Sequence, residues 1–148
     1  MSAFYLTVHV LLVILAVGPI AVAGSMFPRA IRKLAAAPED PTAIATARVL
    51  LRICQVYAGV AVFVPVFGIL TAFQMHVLTH PWVLVSLGLT TVAALLFGLL
   101  VLPAQQAAVA APGQAVAGRL DMWTGIFNLL WLVVTVLMIL RPGSTTGV

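Results

Sequence analysis

Charge is what this chain lacks most: only 7% of its residues are charged, against 64% hydrophobic. A soluble domain carries about 25% charged residues, so this composition leaves too little polar surface for a water-facing exterior. Acidic residues are scarcer still, with three in the chain, Glu39, Asp40 and Asp121. All three lie between the apolar runs. This excludes a paired-carboxylate hydrolase and a transporter relaying protons through a mid-membrane acid. The single cysteine, Cys54, excludes a disulfide framework and is expected to be a small packing residue. No glycine-rich phosphate loop and no Ser-His-Asp set is present. The basic residues form no stripe away from the helix ends, so the sequence pI of about 10.3 does not indicate a nucleic-acid partner.

What is present is four apolar stretches, Tyr5 to Phe27, Ile53 to Phe73, Trp82 to Leu102 and Met122 to Leu140, none holding a Lys, Arg, Asp or Glu. A hydrocarbon core about 30 Å thick is crossed by roughly 20 residues of helix. The expected fold is therefore all-α. It is a single integral membrane domain over residues 1–148, a four-transmembrane-helix bundle with helices over about residues 4–27, 43–75, 82–102 and 121–140. A soluble bundle would need a polar stripe on every helix, and these helices have none. Arg29, Arg32, Lys33, Arg48 and Arg52 flank the first connection and Arg119 lies in the third, leaving only Arg141 on the other side. This bias predicts that both termini are extracytoplasmic. The first helix lacks a basic segment ahead of Phe4 and is not expected to be a cleaved leader.

Local chemistry adds detail. Gly18-Pro19 should kink the first helix and free a carbonyl, which in lipid needs a neighbour or a water. Pro65 lies well inside the second helix. Glu39 and Asp40 precede Pro41, where they suit the positive end of a helix. Arg48 and Arg52, one turn apart, are expected to snorkel to the headgroups. The small-residue pairs Gly68 with Ala72 and Ala94 with Gly98 suggest close helix approach or an oligomer contact. The alanine- and glutamine-rich stretch after Pro103 should let the third helix project beyond the bilayer.

Histidines are the leading candidates for chemistry. His9 lies inside the first apolar run, where an imidazole needs a partner. His76 and His80 lie in the second connection, with Met75 beside them and Met138 near the end of the fourth helix. His76 and His80, four residues apart, would share a face if the helix continued that far. Imidazole with thioether suits copper, and two histidines from different helices suit haem. A second set, Arg52, Gln55, Asp121 and Asn128, lies toward the basic end. The amides Gln55 and Asn128 are expected to cross-link helices, and Asp121 to cap the fourth helix or pair with Arg119 or Arg48. Phe4, Tyr5, Trp82 and Trp123 read as interfacial anchors, while Trp131, near mid-helix, is expected to pack within the bundle.

His9 followed by Gly18, Pro81-Trp82 opening the third helix, Leu102-Pro103 closing it, Trp123, and Met138-Ile139-Leu140-Arg141-Pro142 together resemble the bacterial membrane family "domain of unknown function 2269". That resemblance spans nearly the whole chain and implies a four-helix fold in the bacterial inner membrane with no established activity. Through His9 the first helix is also similar to copper-resistance D-type membrane proteins and to small haem-binding protoporphyrinogen oxidases. The latter carry a lysine in a later helix that this chain does not have.

Three functional readings follow. The first is a non-enzymatic accessory or scaffold subunit, forming a homo-oligomer or part of a larger membrane complex. The second is a haem- or copper-binding protein using His9 with His76 or His80, with Met75 as a thioether donor. The third is an oligomeric small-solute carrier built on the Gly18-Pro19 break.

Overall fold

Proline placement explains how the helices run. The computed structural model describes residues 2–144, so where the carboxyl terminus ends, at residues 145–148, lies outside the described residues. Four helices are long and apolar enough to cross a membrane: α1 (Ala3–Ala36), α2 (Pro41–Gln74), α3 (Pro81–Ala110) and α4 (Gln114–Leu140). No strand occurs among the described residues. In three of the four, an irregular turn lies just ahead of an internal proline. A wide π-helical turn, Val13–Val17, precedes Pro19 in α1, and another, Leu96–Val101, precedes Pro103 in α3. In α2 the helix is interrupted at Val62, three residues before Pro65. Each proline lacks the N–H that would bond the carbonyl four residues back, and the local change of winding re-routes the neighbouring bonds.

Helix ends follow local sequence. Pro41 and Pro81 each open a helix at its first position, and Asp40 accepts a hydrogen bond from the Thr42 backbone N–H at 3.0 Å, as an N-cap should. α2 stops at Gln74. His76 takes a left-handed backbone (φ 56°), Val77 N–H donates to the Ala72 carbonyl at 3.0 Å and His76 N–H to that of Phe73 at 3.1 Å, the bonding of a Schellman stop. α4 ends similarly on Arg141, at φ 44°, whose N–H donates to the Leu137 carbonyl at 2.9 Å. Each helix runs past its apolar stretch at the basic end, α2 by beginning at Pro41. α1 continues to Ala36 and α4 begins at Gln114, because the helices extend past the hydrocarbon on their charged ends. α3 projects to Ala110, as its alanine content predicts.

The solvent of this fold is lipid. Of the most apolar window in each helix, only 17% to 28% is buried. Ile14, Leu15, Leu99 and Ile139 are each at least 60% exposed, and an apolar belt of this kind is not tolerated in water.

The inward faces carry small and aromatic residues. Ile20, Ala23, Phe27, Ile31 and Leu34 of α1 meet Ala43, Ala47, Leu50 and Cys54 of α2, with Ala93, Phe97 and Val101 of α3 and Ala117, Leu120 and Phe127 of α4. This core fills the end of the bundle that carries Arg29, Arg32 and Lys33, the basic end. Cys54 is fully buried there, as expected of a packing residue. Gly24 marks a close crossing of α1 and α4: a Cβ on it would stand 3.2 Å from Cγ2 of Thr124. By contrast Ala94 and Gly98 face outward, and Gly98 has nothing within 4 Å of where a Cβ would lie.

At the opposite end, where the chain enters α1 and leaves α4, the bundle divides into two pairs. The first half of α1 packs on the second half of α2, and the first half of α3 on the second half of α4. A small cluster, Ala72, Trp82 and Val83, closes the rim between the pairs.

Candidate functional site

Between the two helix pairs lies a cavity of about 490 Å³, within the range of small-molecule sites. Its walls are aliphatic and aromatic, including Val13 and Ile14 of α1, Ile69 of α2, Leu87 of α3 and Val134 of α4. The polar groups that bear on its function are His9 of α1, Thr90 of α3, Arg141 at the rim, and the indole N–H groups of Trp82 and Trp131, which find no acceptor among the described residues.

His9 is placed by a specific backbone feature. Its Nδ1 lies 2.9 Å from the carbonyl oxygen of Val64, immediately before Pro65 in α2. A carbonyl accepts only, so Nδ1 carries the proton and donates. In a helix the carbonyl of residue 64 points toward residue 68, so a ring reaching it must lie over that residue. The geometry bears this out: a Cβ on Gly68 would stand 2.9 Å from the His9 Cε1 and 3.3 Å from Nδ1. Gly68 is thus the seat of the imidazole as well as a small residue. With Nδ1 protonated, the neutral ring leaves Nε2 as a lone-pair acceptor, and no described residue donates to it.

Two buried helical threonines, Thr90 and Thr124, keep their hydroxyls off the helix backbone, and of these Thr90 lines the cavity. Thr7, Thr46, Thr71, Thr91 and Thr135 each donate their hydroxyl to the carbonyl four residues back, at 2.7 to 2.9 Å. Thr90 makes no such bond, although it is only 8% exposed and lines the cavity. Its adjacency to Thr91 concealed it in the sequence. The signal was its spacing, since Val83, Ser86, Thr90, Ala93 and Phe97 form the buried stripe of α3.

The remaining histidine-end residues gather in a hollow beside the cavity, lined by Met75, His76, Val77, His80, Trp82, Arg141 and Ser144. The structure thus brings His76, His80 and Met75 together, with His9 outside this lining. His76 and His80 do not share a helical face. α2 has ended before them, and Pro81 holds His80 in an extended backbone (φ −69°, ψ 139°). Among the described residues no group of three His, Cys, Asp or Glu side chains is close enough to hold a metal ion. Trp82 is 8% exposed; it is buried at the rim rather than serving as an interfacial anchor. The Arg141 guanidinium lies 5.8 Å from its ring centroid, a cation–π distance. Trp131 stacks edge-on against Phe127, centroids 6.3 Å apart, and also lines the cavity. Met138 lines the same wall.

The second set of candidates is dispersed over the basic half. Asp121 pairs with Arg32 of α1 rather than with Arg119 or Arg48, because the rotation of α4 turns it toward α1; both side chains remain partly exposed. Asn128 cross-links as expected, Nδ2 donating to Ser25 Oγ at 3.0 Å. Gln55 is exposed, as are Arg48 and Arg52. The amide cross-link to α2 comes instead from Gln105, fully buried, whose Nε2 meets the Cys54 Sγ at 3.6 Å. Gly18 and Pro19 lie below the π-helical turn, and neither lines the cavity. Comparison of the chain with family models, curated proteins and solved structures finds no match.

Proposed function

We propose that this chain is an accessory integral membrane protein, in a bacterial inner membrane, that holds an apolar molecule between its two helix pairs without transforming it. One observation carries the reading: the cavity at the histidine end, apolar on every side, with a fixed imidazole in its wall. A binding site needs such walls and a few convergent polar groups; a reaction needs a nucleophile or an acid–base pair in reach of one another. The outward face of Ala94 and Gly98 suits a second copy or a larger complex. The charge bias supports an extracytoplasmic position for the cavity, and the short motifs around His9, Pro81-Trp82 and Met138 support membership of the unknown-function family. A carrier is less well supported, because Ile20, Phe27, Phe97 and Phe127 fill the basic half.

The test is extraction of the protein into mild detergent, followed by native mass spectrometry and lipid analysis. A bound apolar molecule, retained by the native chain and lost when Leu87→Trp fills the cavity, is the expected result. Equal retention by both chains would refute the site. A reporter fused after Arg141 should be active outside the cytoplasm, and activity on the inside would overturn the orientation.

A second reading is favoured by the His9 geometry. A metal-ligating histidine typically donates its other ring N–H to a carbonyl, as Nδ1 does to Val64. Haem held through Nε2 would then colour the purified protein, and His9→Ala would bleach it. Copper in the hollow of Met75, His76 and His80 is disfavoured by the Arg141 cation in the same lining.

A further inference from the structure

We infer that the cavity selects a neutral, hydroxyl-bearing apolar molecule, a lipid-soluble alcohol or quinol, over hydrocarbons and over anionic lipids. This rests on the reading that the cavity binds an apolar ligand, and names what that ligand must carry.

The argument is one of hydrogen-bond complementarity. His9 Nδ1 is committed to the Val64 carbonyl at 2.9 Å, so the neutral ring offers its ligand only an acceptor, Nε2. An acceptor in an apolar wall favours a ligand that can donate, because leaving it unmatched costs free energy. Ketones, esters and plain hydrocarbons have no donor to give. Across the cavity, α3 supplies the reciprocal group. The Thr90 hydroxyl, free of the back-bond that its neighbour Thr91 makes at 2.9 Å, can donate to a ligand oxygen. A hydroxyl is the smallest group that both donates and accepts, so it matches both the His9 acceptor and the Thr90 donor. Each comes from a different helix pair, so a ligand engaging both would also tie the two pairs to each other.

Charge excludes the anionic alternative. The cation in the lining is Arg141, which lies at the rim with its Nε toward the Met138 carbonyl at 3.4 Å and its guanidinium over Trp82. A carboxylate drawn to Arg141 would stay at the rim, leaving His9 and Thr90 unmatched deeper in the cavity. A carboxylate placed at His9 would instead face the Nε2 lone pair without a proton to offer.

Trp82 and Trp131 line the cavity and provide the readout. Full-length protein in lipid nanodiscs is titrated with three bromine-tipped probes of equal chain length: an alcohol, an alkane and a carboxylate. Bromine quenches indole fluorescence on contact. The expected result is saturable quenching by the alcohol at about tenfold lower concentration than by either other probe, the factor that corresponds to ~1.4 kcal/mol. Excess unbrominated alcohol should reverse it. Thr90→Val, close in shape to the native side chain, should reduce the alcohol's advantage several-fold and leave alkane quenching unchanged. His9→Phe should do the same where it folds. Equal quenching by alcohol and alkane, or an alcohol preference untouched by Thr90→Val, overturns the hydroxyl assignment while the cavity site stands. Stronger quenching by the carboxylate overturns it in favour of an anionic lipid at Arg141. No saturable quenching by any probe refutes the cavity site itself.

Discussion

Gly68→Ala tests the central packing claim with a single carbon atom. In a helix the change from glycine to alanine ordinarily stabilises, by up to about 1 kcal/mol. At position 68 the new Cβ would lie 2.9 Å from the His9 Cε1, well inside the optimal carbon–carbon separation of about 3.5 Å. The ring must move. It is tied to the same stretch of α2 by the 2.9 Å bond from Nδ1 to the Val64 carbonyl, so movement away from residue 68 stretches or breaks that bond. Loss of the bond is worth about 0.5–1.5 kcal/mol, and residual crowding about 1–3 kcal/mol. Set against the helix-propensity gain of about 1 kcal/mol, the net effect is a loss of about 0.5–3.5 kcal/mol. Two controls separate crowding from helix propensity. Gly59 lies in the same helix with nothing within 4 Å of its would-be Cβ, and Gly59→Ala should cause no loss. In a His9→Ala background Gly68→Ala should likewise be harmless. The assay is reversible unfolding in mixed micelles, read by circular dichroism, for the four chains of the double-mutant cycle. A coupling energy of about 2 kcal/mol between positions 9 and 68 is expected, comfortably above the additivity error of about 0.5 kcal/mol. If Gly68→Ala stabilises the native chain as Gly59→Ala does, the imidazole does not rest on Gly68 and the account of the site fails.

Three further outcomes follow from the same structure. Arg32 and Asp121 are 40% and 47% exposed, so a double-mutant cycle across them should give less than about 1 kcal/mol and fade in high salt; a larger, salt-independent coupling would show a buried pair. Gln105 is fully buried on a weak sulfur acceptor at 3.6 Å, its Oε1 unpartnered among the described residues. Gln105→Met should therefore be tolerated within about 1.5 kcal/mol, while Gln105→Ala should cost about 2 kcal/mol or more through the cavity it leaves. Equal loss in both unfolding curves would reveal a polar partner for the amide. His76 has a left-handed backbone, φ 56°, that glycine adopts without penalty, so His76→Gly should raise stability by about 1 kcal/mol. A marked loss of thermal stability would mean that the His76 side chain holds something in its hollow.

The candidate site was partly legible in the sequence. His9 stood out because an imidazole in an apolar run is costly without a partner, yet nothing in the sequence named the Val64 carbonyl. Gly68 was visible only as one of many small residues, and Thr90 only through its spacing from Ser86, since a threonine that bonds its own helix and one that does not are spelled alike. The pairing of His76 with His80 on one face failed for a local reason: Pro81 forces an extended residue before it, and α2 stops at a left-handed His76. That stop was concealed because glycine, the usual residue at such a position, is absent there.

The sequence by itself determined the solvent, the number of helices and where most of them begin. Those properties depend on local sums: apolar length against bilayer thickness, prolines at first turns, an aspartate at a cap, and arginines gathered at one end. The tertiary structure alone decided which face of each helix turns inward, which polar residues meet, and where the packing leaves space. In water a polar stripe announces the outward face. In lipid both faces are apolar, so the stripe disappears and helix rotation is set by small contacts such as Gly24 against Thr124 and His9 on Gly68. Those rotations pair Asp121 with Arg32 and Gln105 with Cys54, and they leave one end of the bundle open around a single imidazole.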